Sequence, residues 1–195
     1  MTTREYIWTD LTGPGIEHLK LTGDADGYLA DGLYVGRNDD TPPFRVQYML
    51  QLGPDWELRA ATVHLLSAPA GATGELSLAV DQSAEWTKAD GTRLSDLTGC
   101  HEIDIFISAF TNSLAIRRLG LSKAESAEIS VAYIDIPQMR VRPVRQRYTC
   151  IRPYGPEGGL YRYEPLFRGN AYDLEVDADG LIVEYPGAFR RVWAS

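Results

Sequence analysis

The feature that most limits how this chain can fold is an apolar residue at every second position, repeated in one short segment after another. Phe44, Val46, Tyr48, Leu50 and Leu52 alternate with Arg45, Gln47, Met49 and Gln51. Neighbouring side chains on a strand leave on opposite faces, so this spacing gathers the five apolar groups on one side of a sheet. Gly53, Pro54 and Asp55 then form a turn cluster, and Trp56, Leu58, Ala60, Thr62, His64 and Leu66 resume the alternation, which predicts a hairpin. Val63 and Leu65 lie off that row, so the end of this strand is expected to be covered on both faces. Leu76, Leu78 and Val80 alternate again, as do Ile129, Val131 and Tyr133. A long polar and aromatic strand is expected over residues 139–152. A last hairpin turns at Asp177, Ala178, Asp179 and Gly180, with Tyr172, Leu174 and Val176 entering and Leu181, Val183 and Tyr185 leaving. Helical signals are poor: Ser95, Asp96 and Leu97 open at most one short turn, residues 122–127 have no apolar stripe, and 114–119 is taken as strand.

This pattern predicts an all-β antiparallel chain forming a single domain over residues 1–195, with 68–74 a loop and not a linker. A dozen strands must protect their edges by closing a barrel or curving strongly. The formal net charge of −8 excludes wholesale electrostatic binding of nucleic acid or of anionic membranes. No apolar run is long enough for a membrane-spanning helix. The first residues lack an apolar signal core, and Cys100 and Cys150 are the only cysteines, so a reducing cytoplasm with both as thiols is expected. His18, His64 and His101 are scattered, so neither a metal site nor a cofactor is expected. The positive charge is almost all arginine, since Lys20, Lys88 and Lys123 are the only lysines.

Chemistry concentrates in two stretches. In the first, Glu102 and Asp104 share a face, Thr111 and Asn112 favour a turn, and Arg117 and Arg118 point to opposite faces if the segment is a strand. One arginine then turns inward and needs a carboxylate beside it. Two readings stand: an internal arginine–carboxylate clamp, or a grip on a polar head group. In the second stretch, Arg140, Arg142, Arg145 and Arg147 fit a solvated sheet face or an anion contact. There Val144, Gln146, Tyr148 and Cys150 form an inward row carrying a buried amide that needs partners. Trp56, Trp86 and the tyrosines supply faces suited to sugar or lipid. No nucleophile elbow, phosphate loop or zinc-protease motif is present, and Asp177 and Asp179 read as turn formers.

In order and spacing these motifs resemble the bacterial family described as "putative glycolipid-binding". The likeness rests on Gly99-Cys100, Ile103-Asp104-Ile105, Phe110-Thr111-Asn112 and Ile116-Arg117-Arg118. It continues through Gln146 and Tyr148, Tyr161 and Tyr163, and Asp179-Gly180-Leu181 with Val183, Tyr185 and Pro186. It implies a spiral β-roll, a curved half-barrel similar to those of lipoprotein carriers, and a small amphiphilic ligand of glycolipid or lipid type. It carries no catalytic residues. On chemical grounds the expected ligand site is Asp104, Thr111, Asn112, Arg117, Arg118, Gln146 and Tyr148, with Trp56 and Trp86 stacking on the ligand. The rivals are an enzyme using Asp104 as acid/base and Arg117 as charge stabiliser, and a ligand-free interaction module.

Overall fold

The computed structural model describes residues 1–37, 42–68 and 73–195; most of the expected 68–74 loop lies outside the described residues. The N-terminal strands are β1 (Thr2–Asp10), β2 (Gly15–Asp24), β3 (Gly27–Gly36), β4 (Phe44–Leu52), β5 (Leu58–Ser67), β6 (Gly74–Val80) and β7 (Trp86–Lys88). A short 3-10 turn, Ser95–Leu97, leads to β8 (Glu102–Ile105) and helix α1 (Thr111–Leu119). The remaining strands are β9 (Ser126–Asp135), β10 (Arg140–Arg152), β11 (Gly159–Pro165), β12 (Tyr172–Val176), β13 (Ile182–Tyr185) and β14 (Phe189–Ala194).

All of them join one curved, unclosed sheet in the order β7-β6-β5-β4-β3-β2-β1-β14-β13-β12-β11-β10-β9-β8. Two meanders run outward from the central β1–β14 pair, and every pairing is antiparallel except β8 with β9. The expected alternation is realised in β4, where Phe44, Val46, Tyr48, Leu50 and Leu52 are all buried. In β5 the phase differs from expectation. A register shift opposite Gln51 and Leu52 leaves Arg59 without a pairing partner, and the buried row becomes Leu58, Ala61, Val63 and Leu65. Such a bulge turns every later side chain to the other face.

The segment 114–119 is not a strand. It belongs to α1, whose residues Thr111 to Ile116 are all buried inside the curve of the sheet. A nine-residue helix of this composition has little stability alone, so tertiary contacts decide its form. Ser113 Oγ accepts the Ile182 N–H at 3.1 Å, and Phe110, just before the helix, meets Trp56 at 6.3 Å between ring centroids. Gly120 ends the helix with φ +51°, a left-handed conformation that glycine adopts without strain. The interior is therefore a packed core with a helix running through it.

Two polar knots tie this core together. Tyr34 on β3 reaches across β2 to donate to Asp10 on β1 at 2.8 Å. Tyr48 on β4 reaches across β3 to donate to Glu17 on β2 at 2.5 Å. The second reach is possible because Gly32 pairs with Tyr48, where any Cβ would overlap the phenol ring. Glu17 also accepts the Ser108 hydroxyl at 2.5 Å and the Ala109 N–H at 2.8 Å, which fixes the turn that enters α1.

Candidate functional site

The antiparallel turns gather at two ends of the sheet, and α1 runs between them. At one end lies a cavity of about 290 Å³. Asp104 at the end of β8 and Asn112 in the first turn of α1 form its base. Asp104 is 8 % exposed. Its Oδ2 accepts Gln146 Nε2 at 2.6 Å, and its Oδ1 takes a longer bond of 3.3 Å from Thr111 Oγ1. Tyr148 donates to Gln146 Oε1 at 3.2 Å and accepts Asn112 Nδ2 at 2.9 Å. Loss of water pushes the Asp104 carboxyl up to about 6, against the two hydrogen bonds and the charge of Arg168, which pull it down.

Aromatic rings wall the cavity on two sides. Tyr163, Tyr172 and Tyr185 form one cluster, with centroid separations of 5.1 to 6.5 Å. Phe106, Tyr133 and Phe167 form the other. Arg168 lies over the second cluster and donates to the Tyr133 hydroxyl at 2.9 Å. Burial, with the Asp104 charge next, pushes the phenols of Tyr133, Tyr163 and Tyr185 above their ordinary range. Phe167, which lines the cavity, is apolar and exposed; Leu11 and Leu166, also exposed, are chain neighbours of the lining residues Asp10, Thr12, Pro165 and Phe167.

Of the expected site residues, the structure brings Asp104, Thr111, Asn112, Gln146 and Tyr148 into one hydrogen-bonded chain at this cavity. The others lie elsewhere. Arg117 is at the opposite end of α1, with its guanidinium carbon 3.8 Å from the Trp56 ring centroid and a bond to the Asp179 carbonyl. There it lines a smaller cavity of about 140 Å³ together with Trp56. Arg117 is thus stacked on a ring and not set beside a carboxylate, because a helix, not a strand, carries it. Arg118 forms an ion pair with the buried Glu102. Trp86 is buried and donates to the Cys100 carbonyl at 2.7 Å, a core contact. Arg145 and Arg147 pair with Glu128 on the solvated sheet face.

Sequence reasoning leaves Asp10, Tyr133, Phe167 and Arg168 out of the site and gives Tyr163, Tyr172 and Tyr185 no location. The acids had a signal: Asp10 falls in the buried phase of Tyr6 and Trp8, and Glu17 in that of Leu19 and Leu21. The tyrosine wall is local to consecutive strands, with Tyr163 paired to Tyr172 and Tyr185 on the next strand, whereas Phe106 and Phe167 of the other wall lie in loops that alternation does not place. Among the described residues no group of three His, Cys, Asp or Glu side chains is placed to hold a metal ion. No helix is long and apolar enough to cross a membrane.

The family model described as putative glycolipid-binding matches residues 5–191. The chain belongs to that family. A protein of known structure, a DUF1089 family protein from Pseudomonas aeruginosa, is 34 % identical, with 91 % of this chain and 92 % of that one covered and a TM-score of 0.79. A β-barrel-like protein of the DUF1849 group from Brucella abortus shares the fold at 11 % identity, covering 100 % of this chain and 98 % of its own, with a TM-score of 0.59. No curated protein matches the chain.

Proposed function

We propose that this protein binds a small amphiphile, glycolipid-like in build, with its head group in the cavity at Asp104 and its tail along exposed Phe167 and Leu166. The observation that carries this reading is the joining of polar and apolar groups around one opening. The carboxylate of Asp104 and the amide of Asn112, both buried, share the lining with aromatic rings and with the exposed Phe167, beside which Leu166 is exposed as well. Asp104 has acceptor capacity beyond its two protein donors, and a sugar hydroxyl or similar donor would use it. Phenol rings give an apolar face with a polar tip, suited to a group that is part ring and part hydroxyl. At about 290 Å³ the space lies at the lower edge of ligand cavities, roughly 300–1,000 Å³, so it takes a head group and not a whole lipid.

The family name points the same way. An enzyme using Asp104 with Arg117 has less support, because the two lie at opposite ends of α1. Native mass spectrometry of freshly purified protein tests the proposal. An added mass that is lost on denaturation, and that Tyr185→Ala weakens, is expected. Protein that emerges empty and takes up no amphiphile from a panel of sugar, ammonium and sulfate head groups would overturn it.

A further inference from the structure

We infer that the head group selected by this cavity is a cation of ammonium type, seated against Asp104 between the aromatic walls. The inference rests on the amphiphile reading of the same cavity and narrows its ligand class.

Three observations carry it. First, Asp104 is a buried carboxylate with no ion-pair partner among the described residues. Its donors are the neutral side chains of Gln146 and Thr111. Buried charges in proteins are as a rule paired, because solvation lost on burial must be replaced by an opposite charge or by ample hydrogen bonding. Glu102, a buried acid on the same strand with one methylene more, shows the usual solution: it has Arg118. Asp104 instead faces open space.

Second, the walls present ring faces, whose quadrupoles attract cations. Arg168 demonstrates this on the outer wall, with its guanidinium carbon 5.3 Å from the Phe106 centroid and 5.1 Å from that of Phe167. Among the described residues no arginine or lysine lies over Tyr163, Tyr172 or Tyr185; Tyr163 is buried against Tyr148 and Tyr172, so the half-buried Tyr172 and Tyr185 are the rings left to meet a ligand. Third, a second acid, Asp10, also lines the cavity. It holds three donors, from Thr12 N, Thr12 Oγ1 and Tyr34, and so adds negative potential without offering a binding group. Among the described residues Arg168 is the one cation lining the cavity; it is exposed and engaged with Phe106, Phe167 and the Tyr133 hydroxyl, with no ion pair to Asp104. A positive group on the ligand therefore belongs at the base, on Asp104.

The test is calorimetric titration of the intact protein with decyltrimethylammonium chloride, decyl glucoside and sodium decyl sulfate, each below its micelle concentration. The ammonium amphiphile should bind tighter than the glucoside by at least about tenfold, the scale of one desolvated cation–π and charge contact. That advantage should disappear in Asp104→Asn. Choline should displace the bound ammonium amphiphile, and its uncharged isostere 3,3-dimethylbutan-1-ol should not. This last pair needs no variant and decides the question even if the substituted protein does not fold. Glucoside or sulfate binding as tight as the ammonium compound would overturn the cationic assignment and leave the amphiphile reading standing. Binding of none of the three would overturn both.

Discussion

Glu17 and Asp104 are two carboxylates enclosed by the same core, both pushed up by loss of water, yet they are built for different ends. Glu17 rises to about 7 and accepts three protein donors, Tyr48, Ser108 and the Ala109 N–H, with no cavity beside it. Asp104 rises to about 6, accepts two neutral donors, one of them long, and opens onto about 290 Å³ of space. A saturated acid holds strands and a turn in place; an acid with spare acceptor sites and no ion-pair partner among the described residues leaves part of its chemistry for a ligand. The difference lies in the count of partners, not in burial.

The largest effect should come from removing the saturated acid. Glu17→Ala leaves Tyr48, Ser108 and the Ala109 N–H without their acceptor in a dry interior. Each stranded donor costs about 1–3 kcal/mol, so a loss of about 3–5 kcal/mol in a chemical denaturation curve is expected. A melting temperature within a few degrees of the parent would show that Glu17 is no more than filler.

The next effect is in pH. Both folded carboxyls sit above their unfolded values, so the folded state binds more protons between roughly pH 4 and 7. The stability this adds is complete below the unfolded value near 4 and is lost as pH rises through about 6 for Asp104 and about 7 for Glu17. Each contributes on the order of 3 kcal/mol at most. Glu128 and Asp173, held low by their arginine partners, work in the opposite sense, but only under strong acid. Denaturation midpoints should therefore fall from pH 5 to pH 8. Glu17→Gln should remove the upper part of that fall and Asp104→Asn the lower part. A flat profile in the parent protein would break the comparison at its root.

How far the sequence reveals these two acids follows from what alternation can encode. It shows that β4 has one buried face and that Gln146 turns inward, because both are properties of a single strand. It misplaces the buried row of β5, since nothing in the side chains announces the bulge at Arg59. It misses α1, whose opening Thr111, Asn112 and Ser113 are poor helix formers held by the core around them. Gly120 after Leu119, with Arg117 and Arg118 in the last turn, was the available sign of a helix end. Asp104, Asn112 and Gln146, singled out on chemical grounds, meet in one hydrogen-bonded chain, but the cavity walls come from β9, β11, β12 and β13 and the loops around them. Of these, β11, β12 and β13 are consecutive neighbours in the sheet, with Tyr163 paired to Tyr172, whereas Phe106, Phe167 and Arg168 come from loops whose position alternation does not encode.

Asp104→Asn should separate function from stability. The amide keeps the shape and can still accept from Gln146, while the desolvated charge disappears. At pH 7.5 its stability is expected to stay level or rise by about 1 kcal/mol, in contrast to the loss in Glu17→Ala. Ammonium-type binding should weaken at least about tenfold in the same sample. A large destabilisation with binding retained would make Asp104 a second structural acid.

The smallest effect should come from Arg117, the residue on which the sequence and the structure disagree most. In a strand, either it or Arg118 would turn inward to a carboxylate or a head group. On α1 it stacks on Trp56 at the other end of the molecule. Arg117→Ala should therefore cost about 1 kcal/mol, the worth of a partly exposed cation–π contact, and leave binding at the Asp104 cavity unchanged. Arg168→Ala is the matched control, since Arg168 lies over the rings of that cavity and its loss should alter binding with little change in stability. If Arg117→Ala weakened binding and Arg168→Ala did not, the functional end of the molecule would be the one at Trp56. The open carboxylate at the other end would then need a different explanation.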